Sequence, residues 1–135
     1  MRGSEERLIA AALKKSVIPK AVEGKDIAVV DDSLVRGTVA RTLIHTFKDK
    51  GANSVHFVVG TPPYIHPCPF NRLAETETIE SLIATGKTHE KIQQEIGSDS
   101  LIYLPMNYFD MVFGNQQRNK VCATCFTGKL PERVR

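Results

Sequence analysis

Two groups of residues in this chain have types and spacings that could do chemistry. The first is the run Ile27-Ala28-Val29-Val30-Asp31-Asp32-Ser33-Leu34-Val35-Arg36-Gly37-Thr38-Val39, where an apolar segment ends on two acids and enters a short loop. Adjacent carboxylates can hold the hydroxyls of a sugar or a hydrated Mg²⁺, and amide N–H groups and hydroxyls at the start of a helix can hold a phosphate. A carboxylate pair beside an anion-binding turn suits a ribose phosphate; the plainer reading is a polar turn that caps a helix. The second group is Cys68, Cys122 and Cys125, the last two in CxxC spacing. In a cytoplasmic protein such a set points to metal or redox ligands before disulfides. From the residues alone, His66 could complete a Cys₃His zinc site, and plain buried thiols are the other reading. His45, His56 and His89 read as packing or surface residues.

These residues need elements to position them. Glu5 to Lys15 has good helix formers, with acids first and lysines last, and reads as a helix. The β-branched run Ile27 to Val30 lacks alternation, which suits a strand covered on both faces. Thr38 to Lys50 spaces Leu43, Ile44 and Phe47 as a helix does and stops at Gly51. Val55 to Val59 is a second strand of buried type. Strand, helix, strand makes a right-handed βαβ unit with parallel strands, so the class is α/β. Helical spacing continues over Glu75 to Thr85 and His89 to Ile96, each followed by Gly. Leu101 to Leu104 is a candidate third strand and Asn107 to Phe113 a short amphipathic helix, while the last fifteen residues read as irregular. Two or three strands are few for such a sheet. We therefore expect either pairing between copies or a missing N-terminal half of the same fold.

The length of 135 residues fits one domain, and 41% hydrophobic with 24% charged residues excludes disordered and fibrous classes. A formal charge of +3, from 18 basic and 15 acidic residues, is too small and too evenly spread to serve as a nucleic-acid footprint. Lys14, Lys15 and Lys20 read as a solvated helix end. No apolar run approaches the roughly 18 residues of a membrane span, and no secretory signal core opens the chain. The expectation is a cytoplasmic protein with neither nucleic acid nor membrane as partner. Met1-Arg2-Gly3-Ser4 is set aside as a leader or simply the start of the chain.

An apolar segment followed by Asp-Asp-Ser also opens phosphoacceptor receiver domains. Those need a third acid at the end of a strand near position 76, where this chain has Glu75-Thr76-Glu77-Thr78 in a helical pattern, and a late Lys-Pro pair, which it lacks. The Arg36-Gly37-Thr38 of the loop instead resembles the phosphoribosylpyrophosphate (PRPP) signature of type I phosphoribosyltransferases. Within that group it is most similar to the glutamine amidophosphoribosyltransferases, whose usual loop is DDSIVRGTT. The resemblance runs in order from Val22 to Pro131: Gly51-Ala52, Thr61-Pro62-Pro63, His66-Pro67-Cys68, Leu82-Ile83-Ala84, Ile96-Gly97-Ser98-Asp99-Ser100-Leu101 and Cys122-Ala123-Thr124-Cys125-Phe126-Thr127-Gly128.

The resemblance implies a single partial phosphoribosyltransferase domain over 1–135, with a few-stranded parallel sheet, a helical C-terminal region and a cysteine-containing tail over 115–135. It implies synthesis of 5-phosphoribosylamine from PRPP and glutamine, an early step of purine synthesis. Asp31 and Asp32 would hold Mg²⁺ and the ribose hydroxyls, and Ser33 to Val39 the 5′-phosphate; no catalytic general base is identifiable. Cys68, Cys122 and Cys125 would be three of the four thiolates of a [4Fe–4S] cluster, with zinc or no metal as the alternatives. Implied partners are PRPP, purine nucleotides and the missing N-terminal half, in an enzyme that is a homo-oligomer at full length. The family's glutaminase domain and nucleophilic cysteine have no counterpart in these residues, so this chain alone is expected to be inactive. A PRPP- or nucleotide-binding regulatory module without catalysis is the alternative. Two departures stand out: Val39 replaces the loop's second threonine, and Pro69 to Thr78 does not reproduce the family's CFYGID continuation.

Overall fold

A computed structural model describes residues 16–70, 78–114 and 121–130. The expected helix at Glu5–Lys15 lies outside them, as does most of the divergent stretch after Cys68. A short helix α1 (Pro19–Val22) leads into β1 (Asp26–Asp31), α2 (Thr38–Asp49) and β2 (Ser54–Val59). Then come a 3₁₀ turn (Ile79–Ser81), α3 (His89–Ile96), β3 (Ser100–Tyr103), α4 (Asn107–Phe113) and α5 (Thr124–Thr127). The three strands form one parallel sheet in the order β1-β2-β3. Ile27 pairs with Val55, and Phe57 with both Val29 and Leu101.

Side chains alternate across a strand, so one set of positions makes the core. Ile27, Val29, Val55, Phe57, Val59, Leu101 and Tyr103 face Ala40, Ile44 and Phe47 of α2 and Ile92 and Ile96 of α3. Phe57 and Val55 are fully buried. Helix α3 starts where the Thr88 hydroxyl accepts the Lys91 N–H at 3.3 Å, and stops where Gly97 turns left-handed.

Three expectations are corrected. Strand β1 is covered on one face only: its residues alternate between half-buried and exposed, and Val30 is 75% exposed. Helices α2 and α3 pack on the other face, so the non-alternating apolar run leaves apolar side chains of β1 exposed among the described residues. The helix expected at Glu75–Thr85 is, over its described part, a single 3₁₀ turn followed by a loop. Leu82, Ile83 and Ala84 are all buried, which no single stripe of a surface helix allows, and the Ile83 N–H is spent on the Val35 carbonyl at 2.8 Å. The tail, expected to be irregular, is described over 121–130 and is irregular there except for the single turn α5, closed by Gly128 in the left-handed conformation. No helix among the described residues is long and apolar enough to cross a membrane.

Asp99 ties the amino ends of β2 and β3 to α2. Its carboxylate accepts the Val55 N–H at 2.7 Å and the Lys48 ammonium at 3.1 Å, and these hold its pKa below the ordinary carboxylate value. A carboxylate depressed in the folded state stabilises the fold above its unfolded pKa of about 3.9, and that contribution is lost as pH falls through the folded value. We expect Asp99→Asn to lower the thermal midpoint at pH 7, with the deficit shrinking as the pH falls below about 4. A deficit unchanged between neutral and acid pH, followed by circular dichroism, would count against this role.

Candidate functional site

The acidic loop leaves the carboxyl end of β1, the edge at which parallel sheets hold ligands. Asp31 is the last residue of the strand, and its Oδ1 accepts the Asp32 N–H at 2.9 Å, which turns the chain out of the strand at the first acid. Asp32 is exposed, and its Oδ1 accepts the Ser33 hydroxyl at 3.3 Å. Leu34 then turns inward, 3% exposed, and anchors the loop in the core, while Val35 is half-buried and Arg36 exposed. Gly37 is the hinge between loop and helix. It is left-handed at φ 74°, and a Cβ there would collide with Ile83 Cδ1 and press on Ile96 Cγ2. Only glycine meets both demands.

No side chain caps α2, since the residue at its N-cap is this glycine. The amide groups of Thr38, Val39 and Ala40 therefore open the helix without the usual hydroxyl or carboxylate acceptor, and the positive end of the helix dipole lies beside the loop. Val39 is half-exposed, so where the resembled loop sequence DDSIVRGTT has a second threonine this chain offers a methyl surface and a backbone N–H. Two buried hydroxyls, in residues outside the expected site, lie at the same edge of the sheet. Thr61 Oγ1, just beyond β2, and Tyr103 OH, at the end of β3, have no hydrogen-bond partner among the described residues, and burial pushes the Tyr103 pKa up to about 12.

The cysteine segments, far apart in sequence, meet in space. The Cys125 carbonyl accepts both the Ile65 and the His66 N–H at 3.0 Å, and the Tyr64 and Phe126 rings pack edge to face with centroids 5.2 Å apart. The His66 ring lies against Gly128, where a Cβ would clash with it. The aromatic beside each cysteine motif, Tyr64 and Phe126, is the sequence signal for this contact, and the motifs alone do not contain it. Burial raises the Cys125 thiol pKa; a hydrogen bond with Tyr64 opposes this, and the charges of Cys68 and Cys122 add to it. All three thiols are thus within electrostatic reach of one another. All three are free, with Cys122 exposed, Cys68 half-buried and Cys125 buried. The Thr124 hydroxyl donates to the Lys129 carbonyl at 2.8 Å, so the Cys122 thiol, 3.3 Å away, is left to donate to Thr124 Oγ1. No group of three or more His, Cys, Asp or Glu among the described residues is arranged to hold a single metal ion.

Thiol reactivity follows exposure and thiolate fraction. Brief treatment with iodoacetamide, read by peptide mass mapping, should label Cys122 first and Cys125 last; the reverse order would contradict the burial of Cys125.

No family model matches the chain. It is 38% identical over 125 residues to an amidophosphoribosyltransferase of Bacillus subtilis and 39% identical over 129 residues to one of Methanocaldococcus jannaschii. These alignments cover 90% and 96% of this chain but 26% of each relative, so the chain spans about a quarter of the length of the curated relatives it matches. Among solved structures it matches the glutamine PRPP amidotransferase from B. subtilis complexed with ADP and GMP. The TM-score is 0.74 at 36% identity, over 90% of this chain and 28% of that one.

Proposed function

Because this chain is related along nearly its whole length to one quarter of the amidophosphoribosyltransferases, we propose that it forms the ribose-5-phosphate-binding part of such an enzyme. In that reaction ammonia from glutamine displaces pyrophosphate at C1 of PRPP to give 5-phosphoribosylamine for purine synthesis. The observation that carries the reading is the loop at the end of β1: paired carboxylates, then a buried glycine, then a helix with no side-chain cap.

Each part of the loop has a role in this reading. Asp31 and Asp32 accept the ribose hydroxyls, and their oxygens are hard ligands of the kind Mg²⁺ takes. When bound, Mg²⁺ would neutralise charge on the departing pyrophosphate. The amides from Ser33 through Val39, the Ser33 and Thr38 hydroxyls and the dipole of α2 hold the 5′-phosphate. A purine nucleoside monophosphate carries the same ribose phosphate, so the loop suits purine nucleotides as well as PRPP. None of these residues is assigned as a general base; the loop binds and orients C1. The setting that goes with this reading is cytoplasmic.

Calorimetric titration with ribose 5-phosphate and Mg²⁺ should give weak binding that Asp31→Asn with Asp32→Asn weakens at least tenfold, without glutamine-dependent turnover by the chain alone. Unchanged affinity in the double variant would sink the assignment of the acids.

The same reading gives Cys68, Cys122 and Cys125 three of the four thiolates of a [4Fe–4S] cluster. The donor set supports this: all are thiols, and they share one neighbourhood. A four-iron cube holds its thiolates further apart than a single tetrahedral ion holds its ligands, which suits sulfurs that are neighbours without converging. When bound, the cluster would cross-link the His66-Pro67-Cys68 segment to the tail. Anaerobic reconstitution with iron and sulfide should produce a brown species that Cys125→Ser abolishes. A colourless protein that instead takes up one zinc ion would overturn the cluster in favour of a Cys₃His site.

A further inference from the structure

A hydroxyl buried without a hydrogen-bond partner costs stability and calls for an explanation. Among the described residues Thr61 Oγ1, Ser98 Oγ and Tyr103 OH are in that state. They sit in different places. Ser98 lies between α3 and β3, at the amino edge of the sheet and away from the acidic loop. Tyr103 is on β3, the strand furthest from β1, with its ring packed on the core and 5.6 Å from that of His89. Of the three, Thr61 is the one joined to the acids.

The residue before it makes the join. Gly60 continues the pairing of β2 with β1 one step past the strands: its N–H donates to the Asp31 carbonyl at 2.8 Å. A Cβ on Gly60 would lie 3.5 Å from the Asp31 carbonyl oxygen and 3.6 Å from that of Asp32. Thr61 therefore leaves β2 alongside the turn that carries both acids.

Two constraints hold its side chain. Thr61 precedes Pro62, which biases its backbone to extended geometry, and Pro63 follows at once. Its β-branched side chain also has few χ1 states to choose from. The hydroxyl is thus kept in place before it has anything to bond, as a preorganised donor must be. A valine would fill the same space without bringing an unpaired hydroxyl into the interior, so shape does not explain the threonine.

We propose that the Thr61 hydroxyl is a positioning group of the ribose-phosphate site, unpartnered in the free chain and donating to the Asp31-Asp32 turn once that turn closes on ribose 5-phosphate. It then holds the two carboxylates in the arrangement the ligand needs, and the cost of leaving it unpaired is recovered only in the bound state. The proposal deepens the family reading above and rests on it.

Stability and affinity should therefore move in opposite directions in Thr61→Val. Thermal melting of the free chain should show a midpoint raised by about 2 °C, and calorimetric titration with ribose 5-phosphate and Mg²⁺ an affinity lowered about fivefold or more. Thr61→Ser, which keeps the hydroxyl, should bind within about twofold of the parent. Ser98→Ala should raise the midpoint and leave the affinity unchanged. A Thr61→Val chain that is more stable and binds as the parent does shows an idle hydroxyl and overturns the proposal. A less stable or unfolded Thr61→Val chain overturns it too, because the hydroxyl then has a partner without ligand. Equal loss of affinity in Thr61→Ser, or in Ser98→Ala, assigns the effect to packing and has the same consequence. A parent chain that binds no ribose 5-phosphate removes the family reading and the proposal with it, and is told apart because in every other failure the parent binds.

Discussion

The structure turns on the close passage of the acidic loop over Ile83 and Ile96. The backbone at Gly37 comes so near these two side chains that a single added carbon would overlap Ile83. A few residues earlier the Val35 carbonyl is held by the Ile83 N–H. Contact and hydrogen bond come from the same buried residue, so the loop is pinned by the core and its carboxylates inherit the rigidity of the sheet. A binding loop held this way meets a ligand with little ordering left to do, which is the advantage of preorganisation. Leu82-Ile83-Ala84 is therefore as much a part of the site as the acids it supports, although none of the three carries a polar side chain.

Polar groups are distributed unevenly along the sheet. At the carboxyl edge lie the two acids, bonded only within their own loop, and two buried hydroxyls with no hydrogen-bond partner among the described residues. At the amino edge Asp26 and Asp99 are each held below the ordinary carboxylate pKa, Asp26 by hydrogen bonds from Ser54 and Asn53 and Asp99 by the Val55 N–H and Lys48. One edge is free to act on something outside the protein; the other holds the strands in place. This division agrees with where open α/β sheets bind ligands.

Much of this could be read from the sequence because the signals were local. The spacing of Leu43, Ile44 and Phe47, the glycines at 51 and 97, and the β-branched runs ending at Asp31 and Val59 each specify an element within a few residues. The loop chemistry was legible for the same reason. What escaped was set by distance. The helical spacing around Leu82 was real, yet the claim of Val35 on the Ile83 N–H overrode it, and no local pattern contains that partner. The uncovered face of β1 was misjudged because an apolar run reports the layer it is matched to, whether or not that layer lies among the residues at hand. His56, placed among packing or surface residues, takes its meaning from Ser54 on its own strand and Ser100 on the next, a pairing that exists only once the register is known.

The shared acceptor at Cys125 bears on the order in which the molecule assembles. Its carbonyl gathers two N–H groups from residues about sixty positions earlier, so the tail closes a long loop with a few weak ties and one ring contact. The entropy of closing such a loop is met late, after the sheet and its helices offer a surface to close upon. The described part of the tail, residues 121–130, is thus held to the domain by contacts of long sequence separation, the kind whose closing entropy weighs against local stability.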